Sequence, residues 1–216
     1  AEHALSLADA FAVATAKVSP PSIGEVEVEL DNLARHIDQG SLTRDDYQAA
    51  TFGLNAMVSD YFHKDTLVEV LKARTYYLGL KDLSPAQAFV KASLLHILHG
   101  NRPYALSRTS HPITPFNPRG AFVYRSVMEK LRERVRSMLS KPLPMFFRRG
   151  QSFNLDFREL PSAISEKVDT VITSPPFVGL RFDRPNWMRM WFCGWTEDDF
   201  HNTSKRFVER QQLQSM

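Results

Sequence analysis

Cysteine is nearly absent from this 216-residue sequence, with Cys193 the single example. An internal disulfide is therefore excluded, and there is no thiolate cluster to hold zinc. No apolar run approaches the ~20 residues that span a bilayer, and no charged-then-apolar secretory signal opens the sequence. A soluble protein of the reducing cytoplasm, with no membrane partner, is the expectation. Glycine is sparse as well: none of the nine lies within two positions of another, so no glycine-rich phosphate loop is present. Acidic residues are scarce in one region. Residues 102–149 hold Arg102, Arg108, Arg119, Arg125, Lys130, Arg132, Arg134, Arg136, Lys141, Arg148 and Arg149 against only Glu129 and Glu133. Such a stretch suits a polyanion such as nucleic acid, or the solvated face of a helix.

What is present is helix punctuation. The alanine-rich stretch 5–17 reads as a helix stopped by Ser19-Pro20-Pro21. Ser22 and Glu25 have capping-box spacing, and Val26, Leu30, Leu33 and Ile37 follow at helical intervals. Thr43 with Asp46 predicts a second helix to about Phe62, carrying Tyr47, Leu54 and Val58 inward. Asp65 opens another, and Ser84-Pro85 begins one that runs to His99 and stops at Gly100. Further on, Tyr124, Val127, Met128, Leu131, Val135, Met138 and Leu139 share a helix face that ends at Lys141-Pro142. Trp187, Trp191 and Trp195, four apart, also share a face, which is read as core. His96 and His99 lack companion ligands, so no metal is assigned.

Residues 101–120 break the pattern with four prolines and three arginines, around Tyr104, His111 and Phe116. A long aperiodic loop inside a compact domain is commonly functional. His111 is read as a substrate or cofactor contact or as a structural loop residue. Arg102, Arg108 and Arg119 in this loop, with Arg184 and Arg189 further on, are the candidate nucleic-acid contacts.

Strands are expected at Met145–Arg149, entering a turn at Gly150, and, more strongly, at Val168-Asp169-Thr170-Val171-Ile172-Thr173, where β-branched residues dominate. The second run meets Ser174-Pro175-Pro176-Phe177, in which two prolines forbid both strand pairing and an immediate helix. The whole, a strand entering a rigid polar-aromatic turn, resembles motif IV of DNA amino-methyltransferases. Gly150 to Phe177 (GQSFNLDFRELPSAISEKVDTVITSPPF) is similar to the motif III to motif IV stretch of that family. Asp9 to Ser22 is similar to the helix following motif II.

The resemblance implies an α/β fold, a partial Rossmann-like methyltransferase sheet with a large helical insertion. Residues 1–21 would end the cofactor-binding half, 22–140 would be the helical insertion with its basic loop at 101–120, and 141–216 would be a segment of the catalytic core. It implies methyl transfer from S-adenosylmethionine to an exocyclic amine of a DNA base, with cytosine N4 favoured over adenine N6. An exocyclic amine is a poor nucleophile because its lone pair is delocalised. The Ser174 hydroxyl and Pro175 carbonyl, aimed by the double proline, would accept its N–H groups, and Phe177 would stack on the flipped base. Gly150, Gln151 and Thr173 would meet the cofactor. The family's glycine-rich loop is absent, Ala4 falls where its acidic ribose ligand belongs, and Gln151 stands for an Asp. An interior fragment, inactive alone, is therefore expected. The alternatives are a non-catalytic nucleic-acid-binding module and an RNA amine methyltransferase. A cognate restriction enzyme, a partner such methylases can have, leaves no trace in the sequence.

Overall fold

Serine and threonine at the helix starts act as their spacing predicts. The computed structural model describes residues 12–100, 104–111, 114–153, 155–173 and 183–202. Helix residues 12–18 (α1) end at Ser19, ahead of two prolines that lack the donors a helix needs. In α2 (Ile23–Gln39), the Ser22 hydroxyl accepts from the Glu25 N–H at 3.3 Å. The Glu25 carboxylate accepts from the Ser22 N–H at 2.8 Å, completing the box. Ser84 and Gln87 repeat it at the head of α5 (Pro85–Ile97), where proline takes a position whose N–H would be unpaired anyway.

These helices bury what their periodicity offers. Val26, Leu30, Leu33 and Ile37 line the inner face of α2, which packs on α4 (Lys64–Leu78), α5 and α6 (Val127–Leu139). α6 contributes Val127, Leu131 and Val135, one turn apart, and leaves its arginine flank outward. α5 is apolar nearly all round and fits the middle of the group, with Val90, Leu94 and Ile97 fully buried. Each buried Leu, Ile or Val contributes roughly 1.5–3 kcal/mol.

The second predicted helix is shorter than its cap spacing suggests. α3 spans only Arg44–Ala49, and the chain regains helical shape as a single 3-10 turn at Val58–Tyr61. Gly53 interrupts the run. A Cβ there would meet the Ala56 carbonyl oxygen at 1.7 Å, an approach only glycine permits. Val58 is buried as expected, but Tyr47 faces solvent.

The expected α/β fold with a partial Rossmann-like sheet is overturned. Among the described residues the elements are helical and there is no sheet; the one pairing is an isolated antiparallel bridge between Thr109 and Arg119. Val168–Thr173 has no ladder partner, and Val171 and Ile172 are 81% and 94% exposed. The Met145–Arg149 strand is likewise absent: Met145 and Phe146 sit in a turn closed by Phe147 N–H to the Pro144 carbonyl at 2.8 Å, both side chains exposed. β-branched residues favour a strand only where a neighbouring strand takes up the backbone and a core takes up the side chains. Here helices fill the core.

The short helix expected near Phe157–Ile164 is present as a 3-10 turn at Phe157–Glu159 running into α7 (Leu160–Ala163). α8 (Asp183–Phe192) then drives Trp187, Trp191 and Phe192 into the same core that α2 to α6 build, and α9 (Glu197–Asn202) adds Phe200. The tryptophan stripe is therefore core: Trp187, Trp191 and Trp195 are 0%, 1% and 8% exposed. The Trp191 indole N–H donates to the Ala49 carbonyl at 2.8 Å, and the Arg74 guanidinium lies 5.2 Å from its ring centroid. No helix among the described residues is long and apolar enough to cross a membrane.

Candidate nucleic-acid interface

A proline-rich loop cannot satisfy its own backbone, so its carbonyls must find donors elsewhere. Residues 104–125 solve this by borrowing donors from the helical body. The Pro115 carbonyl accepts from the Asn55 amide at 2.7 Å, the Tyr61 hydroxyl at 2.8 Å and the Trp187 indole at 3.2 Å. The Tyr61 hydroxyl is equally close to the Phe116 carbonyl, so its single proton is shared between the two. The Ser110 hydroxyl donates to the Phe116 carbonyl at 2.6 Å, and the Thr109–Arg119 bridge closes the loop neck. Burial pushes the Tyr61 phenol pKa up, so it stays a donor at any ordinary pH.

His99 pins the other side. Its Nε2 lies 2.9 Å from the His111 carbonyl, which fixes the proton on that nitrogen. Burial, with Arg189 and His111 nearby, pushes its pKa down to about 4, so the ring is neutral at pH 7. Its Nδ1 is buried with no hydrogen-bond partner among the described residues. His96 instead meets the Tyr104 hydroxyl at 3.2 Å. No group of three or more metal-binding side chains occurs among the described residues.

The arginines separate into two kinds. Arg108 is spent on the loop itself: its guanidinium donates to the Gly120 carbonyl at 3.0 and 2.5 Å and to the Asp60 carbonyl at 3.0 Å. Its far face lies 4.0 Å from the centroid of Phe122. Arg189 is spent on helix ends, donating to the Leu95 carbonyl at 3.1 Å and to Asn186 at 2.8 Å. Arg125 donates to the carbonyls of Ala105 and Ser107. Arg119 and Arg184, in contrast, are exposed and make no side-chain hydrogen bond to the described residues. Arg102 lies outside the described residues, as do Ser174, Pro175, Pro176 and Phe177.

The anchored loop forms one wall of a cleft of about 690 Å³ lined by Asn55, Thr109, Ser110, His111, Phe116, Asn117 and Arg119. No carboxylate is among the described lining residues. Phe116 is half exposed, its ring 5.3 Å from that of His111, whose Nδ1 accepts from the Thr114 N–H at 3.2 Å. Asn55, Thr109, Ser110 and Asn117 were not singled out by the sequence; the local signal was only the surplus of loop carbonyls, which says that donors exist but not where.

The residues assigned to the cofactor are placed differently. The Gly150 N–H donates to the Val18 carbonyl at 2.8 Å, and Ser152 meets Thr15 at 2.6 Å, so 150–152 run along α1. The two stretches expected to border the cofactor thus touch. The space beside Gly150 is filled, however: a Cβ there would lie 3.2 Å from Val18. Gln151 and Thr173 are exposed, and none of the three lines this cleft or the smaller one of about 480 Å³ beside α2. No family model, no curated protein and no solved structure matches the chain.

Proposed function

We propose that this chain handles the substrate base in an S-adenosylmethionine-dependent DNA methyltransferase that modifies an exocyclic amine, cytosine N4 in preference to adenine N6. One observation carries the reading. The sequence Ser174-Pro175-Pro176-Phe177 leads within a few residues into α8, and α8 holds the basic, carboxylate-free loop through Trp187 and Pro115. The motif expected to accept the amine is therefore followed in sequence by the helix that holds the surface suited to a polyanion. Ser174 and Pro175 accept the amine hydrogens, Pro176 holds that turn rigid, and Phe177 stacks on the base. Arg119 and Arg184, the two of the candidate arginines that make no side-chain hydrogen bond to the described residues, contact phosphates. The methyl donor is the remaining requirement, and none of the chemistry is assigned to Gly150, Gln151 or Thr173. The single buried cysteine supports a reducing, cytoplasmic setting.

The test is methyl incorporation from radiolabelled S-adenosylmethionine into DNA by the protein carrying this chain, with the modified base identified by mass spectrometry. Ser174→Ala and Phe177→Ala should each lower incorporation by at least about 100-fold with the melting temperature unchanged. Incorporation that survives both substitutions overturns the assignment. The filled space at Gly150 supports a second reading, a non-catalytic nucleic-acid-binding module. DNA binding without any methylated base would select it.

A further inference from the structure

The cleft under the anchored loop has no role in the transfer itself, yet it combines three things that meet in few ligands. It offers a half-exposed aromatic face (Phe116), an amide with both donor and acceptor (Asn117) and an exposed cation (Arg119). Neither the Asn117 amide nor the Arg119 guanidinium makes a hydrogen bond to the described residues. The described lining is otherwise hydroxyl, amide and imidazole, so an anion meets no carboxylate among these residues. The volume of about 690 Å³ is in the range of sites that enclose a nucleotide-sized ligand. Rigidity is the fourth feature. Three donors on one carbonyl, a hydroxyl shared with the next and a bridge at the neck hold Phe116 and Arg119 in fixed relation before any ligand arrives. A loop ordered in advance avoids the entropy of ordering on binding.

We propose that this cleft binds one unstacked nucleotide of a nucleic-acid strand, with the base on Phe116, its hydrogen-bonding edge at Asn117 and the phosphate at Arg119. The assignment rests on the reading of the chain as a DNA-handling protein and extends it to a second nucleotide position, distinct from the Ser174–Phe177 turn. An aromatic face accepts any base, since each has a π surface, while the amide adds a preference among bases. The chemistry of base plus phosphate is shared by a free nucleotide, and the experiment separates the two sources.

Fluorescence anisotropy of a labelled single-stranded oligonucleotide of about ten nucleotides, titrated with the full chain, reads the site. Phe116→Ala should weaken binding roughly 5- to 150-fold, the range for loss of one stacked base, and Phe116→Tyr should restore it. Arg119→Ala should reduce the slope of log affinity against log salt by about 0.7, the value for one phosphate of a single strand. Arg158→Ala, an exposed arginine paired with Asp156 away from the loop, should change neither. Wild-type affinity and slope in both Phe116→Ala and Arg119→Ala overturns the cleft while leaving the DNA-handling reading intact on other residues. Absence of oligonucleotide binding by the unmodified chain overturns both. Competition by thymidine monophosphate as strong as by unlabelled oligonucleotide makes the cleft a site for free nucleotide and overturns its role on a strand.

Discussion

The Pro115 carbonyl is the residue-scale pivot of the molecule, because three side chains from separate elements converge on it. Tyr61→Phe removes one of these donors, and with it the one side-chain donor among the described residues, besides Ser110, that reaches the Phe116 carbonyl. The ring still fills its place, so the cost is that of a buried hydrogen bond, about 1–2 kcal/mol by urea unfolding. His99 adds a pH dependence on the same loop. Desolvation lowers its folded pKa to about 4 from an ordinary 6.5, so the unfolded chain takes up the proton first. Its stabilising contribution is present above pH 6.5 and is lost as pH falls towards 4, a loss of roughly 3 kcal/mol at the full span. His99→Gln keeps an amide donor for the His111 carbonyl but has no proton to gain. Unfolding free energies of wild type and His99→Gln measured from pH 7 to pH 4 should converge as the pH falls; parallel curves would show that His99 does not titrate with folding.

At the scale of elements, apolar character in the sequence and burial in the fold part company in an instructive way. Trp191 and Phe146 are both large aromatics, yet one is 1% exposed and the other 87%. Trp191→Ala should cost about 3–5 kcal/mol, since it empties a core position and strands the Ala49 carbonyl. Phe146→Ala should stay within about 0.5 kcal/mol. Equal costs would mean that Phe146 is buried in solution. The helices could be read because their signals are local: Ser22 with Glu25, Ser84 with Pro85, and Val127, Leu131 and Val135 one turn apart each act within a few residues. Val168–Thr173 could not be read the same way. A strand needs a partner at long sequence range, and the run of β-branched residues states the need without supplying the partner. The site was half legible for the same reason. Proline and arginine marked the loop, but its anchors, Asn55, Tyr61 and Trp187, come from other parts of the chain and carry no local mark.

For the whole molecule, the net charge of +3 and the basic region 102–149 overstate what is available to a polyanion. Arg108, Arg125 and Arg189 donate to backbone carbonyls, and Arg132 pairs with Asp31 at 2.7 Å. Replacing Arg102, Arg108 and Arg119 together by alanine should flatten the salt dependence of DNA binding, but Arg108→Ala alone should act through stability, because it releases the Gly120 and Asp60 carbonyls. The donor side of the reaction is thinner still. Gly150 faces Val18, and Gln151 and Thr173 stand exposed, so none of the three residues expected to hold S-adenosylmethionine lines either cleft. Micromolar affinity for such a ligand corresponds to about 8 kcal/mol, which a ligand of that size gains only by burying most of its surface in a formed pocket. Isothermal titration of the 216-residue chain with S-adenosylmethionine should therefore give no saturable heat at micromolar concentrations, while the labelled oligonucleotide still binds. A micromolar dissociation constant for the cofactor would return Gly150, Gln151 and Thr173 to the methyl-donor site and require these residues to rearrange around it.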